Sequence, residues 1–269
     1  MSTTRWIAAA ILGLALAGCG SSGESEAAGR AVGVASAEEL TNRQAADGEL
    51  APDDGAGQDP SALAMAADES TSSIVGHVTG ASIVAYGEDG EVVAELANPT
   101  PVGGPLAFLL VDHEPPTGEW AEVYLPIRPN GSTGLVRTAE LSLSANPYRI
   151  EVDRAAHRLQ VFHRGELWLD TEVAIGTGET PTPVGEFYII ELLQPPSPDG
   201  LYGPFAFGLS GFSETLTSFA GGEGVIGIHG TNQPEALGTD VSHGCIRLAN
   251  DVITQLAGVI PLGTPVRIV

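Results

Sequence analysis

Ser242-His243-Gly244-Cys245-Ile246-Arg247-Leu248 is the stretch on which the reading of this chain turns. A cysteine followed by an apolar residue can be no more than a buried, inert thiol, but the neighbours here point to chemistry. The thiolate is the nucleophilic form of cysteine, and at neutral pH a free Cys is mostly thiol. A histidine placed to take that proton activates it. His243 stands two residues before Cys245, and His229 stands 16 residues before it, at the end of the apolar run Val225-Ile226-Gly227-Ile228. Gly244 lets backbone approach a ligand closely, and the amides of Gly244 and Cys245, with that of His243, are candidates for an oxyanion hole. Arg247 offers a guanidinium that can hold a carboxylate bidentately or pair as a surface ion. Ser242 either hydrogen-bonds near the thiol or shapes the turn.

Working upstream, Tyr148-Arg149-Ile150-Glu151-Val152 and Arg158-Leu159-Gln160-Val161-Phe162-His163 read as two strands. A hairpin turn at His163-Arg164-Gly165-Glu166 leads to a third strand over 167–175. Gly176-x-Gly178 lacks the strand–turn–helix context of a nucleotide loop, and the prolines after it oppose a helix start, which excludes a dinucleotide site. Downstream, Asn250-Asp251 is expected to cap a helix. Val252, Ile253, Leu256, Ala257 and Ile260 follow at helical spacing as a core stripe.

Taken together, Thr180-Pro181-Thr182-Pro183-x-Gly185-x-Phe187, Ile228-His229-Gly230-Thr231, Ser242 to Leu248 and Pro261-Leu262-Gly263-Thr264-Pro265-Val266 resemble L,D-transpeptidase catalytic domains of the YkuD type. The resemblance implies a mixed β-domain with short helices over 147–269. It implies Cys245 as nucleophile, His229 as base and the Gly230 carbonyl as the acceptor that orients the imidazole; Glu223 and Asp240 remain alternatives for that last task. His243 and Gly244 are carried over as catalytic residues, and Arg247 and Ser242 as substrate-binding residues. The implied substrates are peptidoglycan stem peptides: Cys245 forms a thioester, terminal D-alanine leaves, and an amine of another stem completes a cross-link. With water as acceptor the same residues make an L,D-carboxypeptidase, and with a protein amine a wall-attachment enzyme. A tethered wall-binding protein without catalysis is the non-enzymatic alternative. No cofactor and no metal is expected, because the Cys and His spacing matches no zinc pattern. His77, His113, His157 and His163 are scattered and expected in solvent.

Between residues 73 and 144, apolar strands alternate with Gly, Pro, Asn and Asp turns. Ser82–Tyr86, Glu91–Leu96, Leu106–Val111 and Trp120–Pro126 are followed by an Asn130-Gly131 turn and Gly134-Leu135-Val136. This segment resembles a small bacterial SH3-like β-barrel, which would either hold peptidoglycan or position the domain after it. Residues 20–72 carry no aromatic side chain and 11 acidic residues against two arginines. Such a stretch buries too little apolar surface to offset its ordering entropy, so a disordered acidic linker is expected. The run Trp6–Ala17 is 12 residues long, short of the roughly 20 that span a bilayer. Together with Leu16-Ala17-Gly18-Cys19 it resembles a lipoprotein signal over 1–18 with lipid attached at Cys19.

Composition bounds the rest. The 269 residues carry 34 acidic and 11 basic side chains, a net charge of −23, and every basic residue is arginine. That balance argues against nucleic acid as a partner and against electrostatic docking to an anionic membrane. The 35 glycines and 19 prolines favour a mainly β fold. The expected protein is a monomeric, exported, membrane-anchored lipoprotein of the cell envelope facing the wall.

Overall fold

The computed structural model describes residues 30–31, 72–216 and 224–269. The expected signal peptide, Cys19, nearly all of the 20–72 linker and Glu223 lie outside these residues. Within the expected linker, β1 (Arg30–Ala31) pairs antiparallel with Gln194 and Leu193.

Residues 73–146 form seven strands: β2 (Ser73–Val78), β3 (Ser82–Tyr86), β4 (Val92–Ala97), β5 (Ala107–Leu109), β6 (Trp120–Tyr124), β7 (Thr133–Arg137) and β8 (Leu141–Asn146). They make a three-stranded sheet, β5-β2-β8, and a four-stranded sheet, β4-β3-β7-β6. In β3, β6 and β7 every second residue is buried, the period-2 pattern of a sheet with one dry face. Ile74, Ile83, Phe108, Val123 and Val136 meet in the shared core. Gly131 (φ +81°) supplies the left-handed residue of the Asn130-Gly131 turn.

Pro147 alone separates β8 from the second unit, which contains β9 (Tyr148–Asp153), β10 (Arg158–His163), β11 (Glu166–Glu172), β12 (Ile175–Gly176), β13 (Gly185–Gln194), β14 (Ala206–Phe212), β15 (Val225–His229), β16 (Asp240–Ser242), β17 (Ile246–Arg247), α1 (Asn250–Ala257) and β18 (Pro265–Ile268). Its large sheet runs β11-β10-β9-β18-β13-β14-β15-β17, with β12 and β16 pairing in parallel beside it. Arg164 (φ +52°) and Gly165 (φ +80°) make the expected tight β10–β11 turn. The third strand ends at Glu172 rather than running to 175, because Ala174 turns to bridge Arg247. The apolar stripe of α1 packs onto the sheet through Ile253 and Leu256, with Ile260 following.

The two units are not separate bodies. Val75 and Ala107 of the first belong to the core of the second, while Tyr188 of β13 is fully buried in the core of the first. The Tyr188 hydroxyl donates to the Tyr124 carbonyl at 3.1 Å. Asn130 clasps Phe212 twice: its Nδ2 donates to the Phe212 carbonyl (2.9 Å) and its Oδ1 accepts from the Phe212 amide (2.8 Å). The Arg128 guanidinium lies 4.7 Å over the Phe212 ring and donates to the Ser213 carbonyl at 3.0 Å. Asn146 donates to Thr264 across the same junction.

His113 is exposed as its sequence context suggests, whereas His77, His157 and His163 are less solvated. His77 is half-buried against Ser144 Oγ (3.1 Å), and burial pushes its pKa down. His163 stacks on Tyr148 with ring centroids 4.7 Å apart.

Candidate active site

Strand register gathers the site. Glu191 pairs with Gly208 and Gly208 with Gly227; Gly227 precedes Ile228, which pairs with Ile246, so Cys245 continues the row. The next row runs Leu193, Ala206, His229, Arg247. Phe207, Leu209, Ile228 and Ile246 point to the opposite, core-facing side. Alternation along each strand therefore puts Cys245, His229 and Arg247 on one outward face of β14, β15 and β17. The same face carries Tyr188, under the first unit, so that unit covers one half of the sheet and the site occupies the other.

His229 is 4% exposed. Its Nδ1 lies 2.6 Å from the Gly230 carbonyl; an oxygen that can only accept requires Nδ1 to carry the proton, which leaves the Nε2 lone pair available. Burial, reinforced by the Arg247 charge, pushes the imidazole pKa down to about 4 against the pull of the Gly230 hydrogen bond. The ring is therefore neutral at pH 7. Asp240, the described alternative for orienting it, instead accepts from His157 Nε2 at 2.7 Å.

Cys245 is half-buried. Burial pushes its thiol pKa up, while a hydrogen bond from backbone at Gly227 and the Arg247 charge pull it down. The balance is upward, so thiol and imidazole are both uncharged at rest. Tyr202, which the sequence reading did not single out, meets the His229 ring edge-on with centroids 4.8 Å apart. Burial raises the pKa of its hydroxyl, and a Cys245 thiolate would add to that rise while Arg247 opposes it.

The turn that carries the cysteine is held from within. Ser242 Oγ donates to the Cys245 carbonyl (2.5 Å) and accepts from the Gly244 amide (3.1 Å). Ser242 is 2% exposed, and both of these bonds lie within the turn. The Gly244 amide is likewise engaged by Ser242 and is not presented as an oxyanion donor, while φ +115° explains why a glycine stands there. His243 lies on the exposed rim. Thr177 N and Thr180 Oγ1 both donate to the Ser242 carbonyl, and Thr182 Oγ1 accepts from the Gly176 amide at 2.9 Å. The Thr-Pro-Thr-Pro segment is thus the backing of the cysteine turn.

Arg247 is 8% exposed; its Nη1 donates to Gln233 Oε1 at 3.2 Å, and its buried Nε has no acceptor among the described residues. Asn250 does not cap α1; Ala249 holds the N-cap position with no side-chain hydrogen bond. Asn250 Oδ1 instead accepts from the Thr231 amide (2.8 Å) and fills the space against Gly203 and Gly230, so it fixes the backbone that orients His229. Among the described residues no group of three or more His, Cys, Asp and Glu side chains is placed to hold a metal ion.

The family model for the L,D-transpeptidase catalytic domain, YkuD, matches residues 147–268. The putative L,D-transpeptidase YkuD of Bacillus licheniformis is 37% identical over 122 residues, covering 45% of this chain and 66% of that protein. The Bacillus subtilis YkuD counterpart is 36% identical over the same length and share. The chain thus spans just under two thirds of these two relatives. The putative L,D-transpeptidase YqjB of Bacillus subtilis is 34% identical over 139 residues, covering 48% of this chain and 74% of that protein. Among solved structures, Bd1075 of Bdellovibrio bacteriovorus matches with TM-score 0.37 and 32% identity, over 46% of this chain and 48% of that one. An Enterococcus faecium L,D-transpeptidase matches with TM-score 0.35 and 26% identity, over 46% and 50%.

Proposed function

Because the chain belongs to the YkuD-type L,D-transpeptidase family, we propose that it cross-links peptidoglycan stem peptides through a Cys245 thioester. One observation carries the reading: Cys245 shares an outward sheet face with a neutral His229 whose Nδ1 is fixed on the Gly230 carbonyl. His229 Nε2 takes the thiol proton as the sulfur attacks the carbonyl carbon of the diamino residue of a donor stem. The bond to terminal D-alanine breaks, and the amine leaves with the proton held by His229. An amine of a second stem then attacks the thioester, gives its proton to His229 and frees the thiol. A neutral resting pair suits this sequence, because the proton moves only as the carbonyl is engaged.

The buried Arg247 guanidinium, with its unused Nε, is the electrostatic partner of the thiolate and of a substrate oxyanion or carboxylate. Gly230 and Asn250 act through His229, Ser242 and Gly244 through the turn, and His243 at the rim. In the same reading residues 73–146 are an SH3-like module that flanks the site. Cys19 carries lipid that anchors an exported, monomeric protein facing the wall, and residues 20–72 are the tether.

The test is mass spectrometry of the full chain incubated with tetrapeptide muropeptides. D-alanine release with dimer formation is the expected result, and Cys245→Ala abolishes both. Release without dimers would replace cross-linking by hydrolysis, and identical behaviour of wild type and Cys245→Ala would overturn the enzyme reading. The anchor is checked by membrane fractionation of Cys19→Ser, which should move to the soluble fraction; an unchanged distribution removes the lipid claim.

A further inference from the structure

Glu191 is a half-buried carboxylate that the proposed mechanism does not use. It sits in the row that ends at Cys245, and the two positions between them, Gly208 and Gly227, are both glycine. Its side chain lies over Gly208: a Cβ added there would come within 2.5 Å of Glu191 Cγ. At Gly227 an added Cβ would stand 2.6 Å from the Phe207 carbonyl oxygen. Glu191 thus covers the buried Gly208, and between it and the sulfur the floor of the face is the half-buried backbone of Gly227, with no side chain. Among the described residues no hydrogen bond or ion pair reaches the Glu191 carboxylate, and burial pushes its pKa up, the signature of a charge without a partner. The cationic Arg247 marks the other end of the face, so the floor runs between a negative and a positive pole.

We propose that Glu191 binds the side-chain ammonium of the diamino residue whose carbonyl carbon Cys245 attacks, and so sets the enzyme's preference for an acyl donor with a free amine. This rests on the transpeptidase reading above. The dimensions agree. Gly208 is two strand spacings from Cys245, about 10 Å. An extended diamino side chain plus one N–H···O bond covers roughly the same length from a carbonyl carbon held on the sulfur. The bulge at Ile190, where Ile189 pairs with Leu209 but Glu191 with Gly208, sets the carboxylate outward over the floor beside Ile190, which packs on the first unit. Re-aiming a side chain next to a site is a common use of a bulge.

The experiment uses the full chain and two acyl-donor stem peptides that differ only in the side-chain amine, free in one and acetylated in the other. A small primary amine serves both as the common acceptor, and D-alanine release is measured. Wild type should lose roughly tenfold or more in kcat/KM on acetylation, as expected for losing a charge-assisted hydrogen bond. Glu191→Gln, isosteric and checked for an unchanged melting temperature, should process both peptides equally, at the wild-type rate for the acetylated one. The first arm uses wild type alone, so a poorly folding variant does not rescue the idea. Equal turnover of the two donors by wild type, or an unchanged preference in Glu191→Gln, overturns the assignment and leaves the transpeptidase reading intact. Turnover of neither donor by wild type overturns both.

Discussion

Acidification should destabilise this protein through His229. The imidazole has an ordinary pKa of 6.5 in the unfolded chain and about 4 in the folded one. Between those values the unfolded chain binds a proton that the folded chain refuses, so stability climbs as pH rises from 4 to 6.5 and this contribution is flat above. The difference in pKa corresponds to about 3 kcal/mol. Urea unfolding at pH 7 and pH 4, compared between wild type and His229→Asn, isolates the effect from the many carboxylates that also titrate. Asn keeps an N–H donor near the Gly230 carbonyl but has no basic nitrogen. Wild type should lose about 3 kcal/mol more than the variant on going to pH 4. Equal losses would refute the argument, and so would a smaller loss in wild type, the result expected if the site rested as a thiolate–imidazolium pair.

Two further outcomes follow from packing. Tyr188→Ala should cost about 3–5 kcal/mol, as for other large buried aromatic truncations, and because each unit lends side chains to the other's core, wild type should unfold in one transition; two separated transitions in calorimetry would contradict the interlock. Gly227→Ala sets a methyl 2.6 Å from the Phe207 carbonyl and should cost about 1–3 kcal/mol. It should also slow iodoacetamide labelling of Cys245 by displacing the backbone that hydrogen-bonds to the sulfur, whereas an unchanged labelling rate would show that this donor does not matter.

The parts of the fold that were legible in the sequence are those whose signal is local. Short apolar stretches between turn residues marked β3, β4, β6, β7, β9 and β10, and the apolar stripe marked the core face of α1. β13 and β14 were not read, though they form the middle of the sheet. β13 is apolar on both faces because it serves two cores at once, so Phe187 and Tyr188 both disappear and alternation is erased. The glycines of β14 carry no strand signal, because nothing local reveals that Glu191 occupies the side-chain space of Gly208 and the Phe187 ring that of Gly211. In the site, Cys245 and His229 were named from spacing and resemblance and Gly230 from resemblance alone, and His229 Nδ1 lies 2.6 Å from the Gly230 carbonyl. Tyr202 was not found, since an aromatic in a Gly-Pro loop gives no hint of which ring it will meet. Asn250 was read as a cap because it opens a helix; its bond to Thr231 is 19 positions away and leaves no trace in the local pattern. Ser242 was left open between bonding near the thiol and shaping the turn, and its hydrogen bonds to Gly244 and Cys245 lie inside the turn.

The floor between Cys245 and Glu191 has a consequence for inhibition and escape. Compounds that grip side chains are defeated when those side chains change. Gly208 and Gly227 have none to change, and replacing either forces a methyl against Glu191 or the Phe207 carbonyl. An inhibitor laid between Glu191 and Cys245 would rest at Gly227 on peptide backbone, a surface that point substitution can roughen only by damaging the sheet that holds the nucleophile.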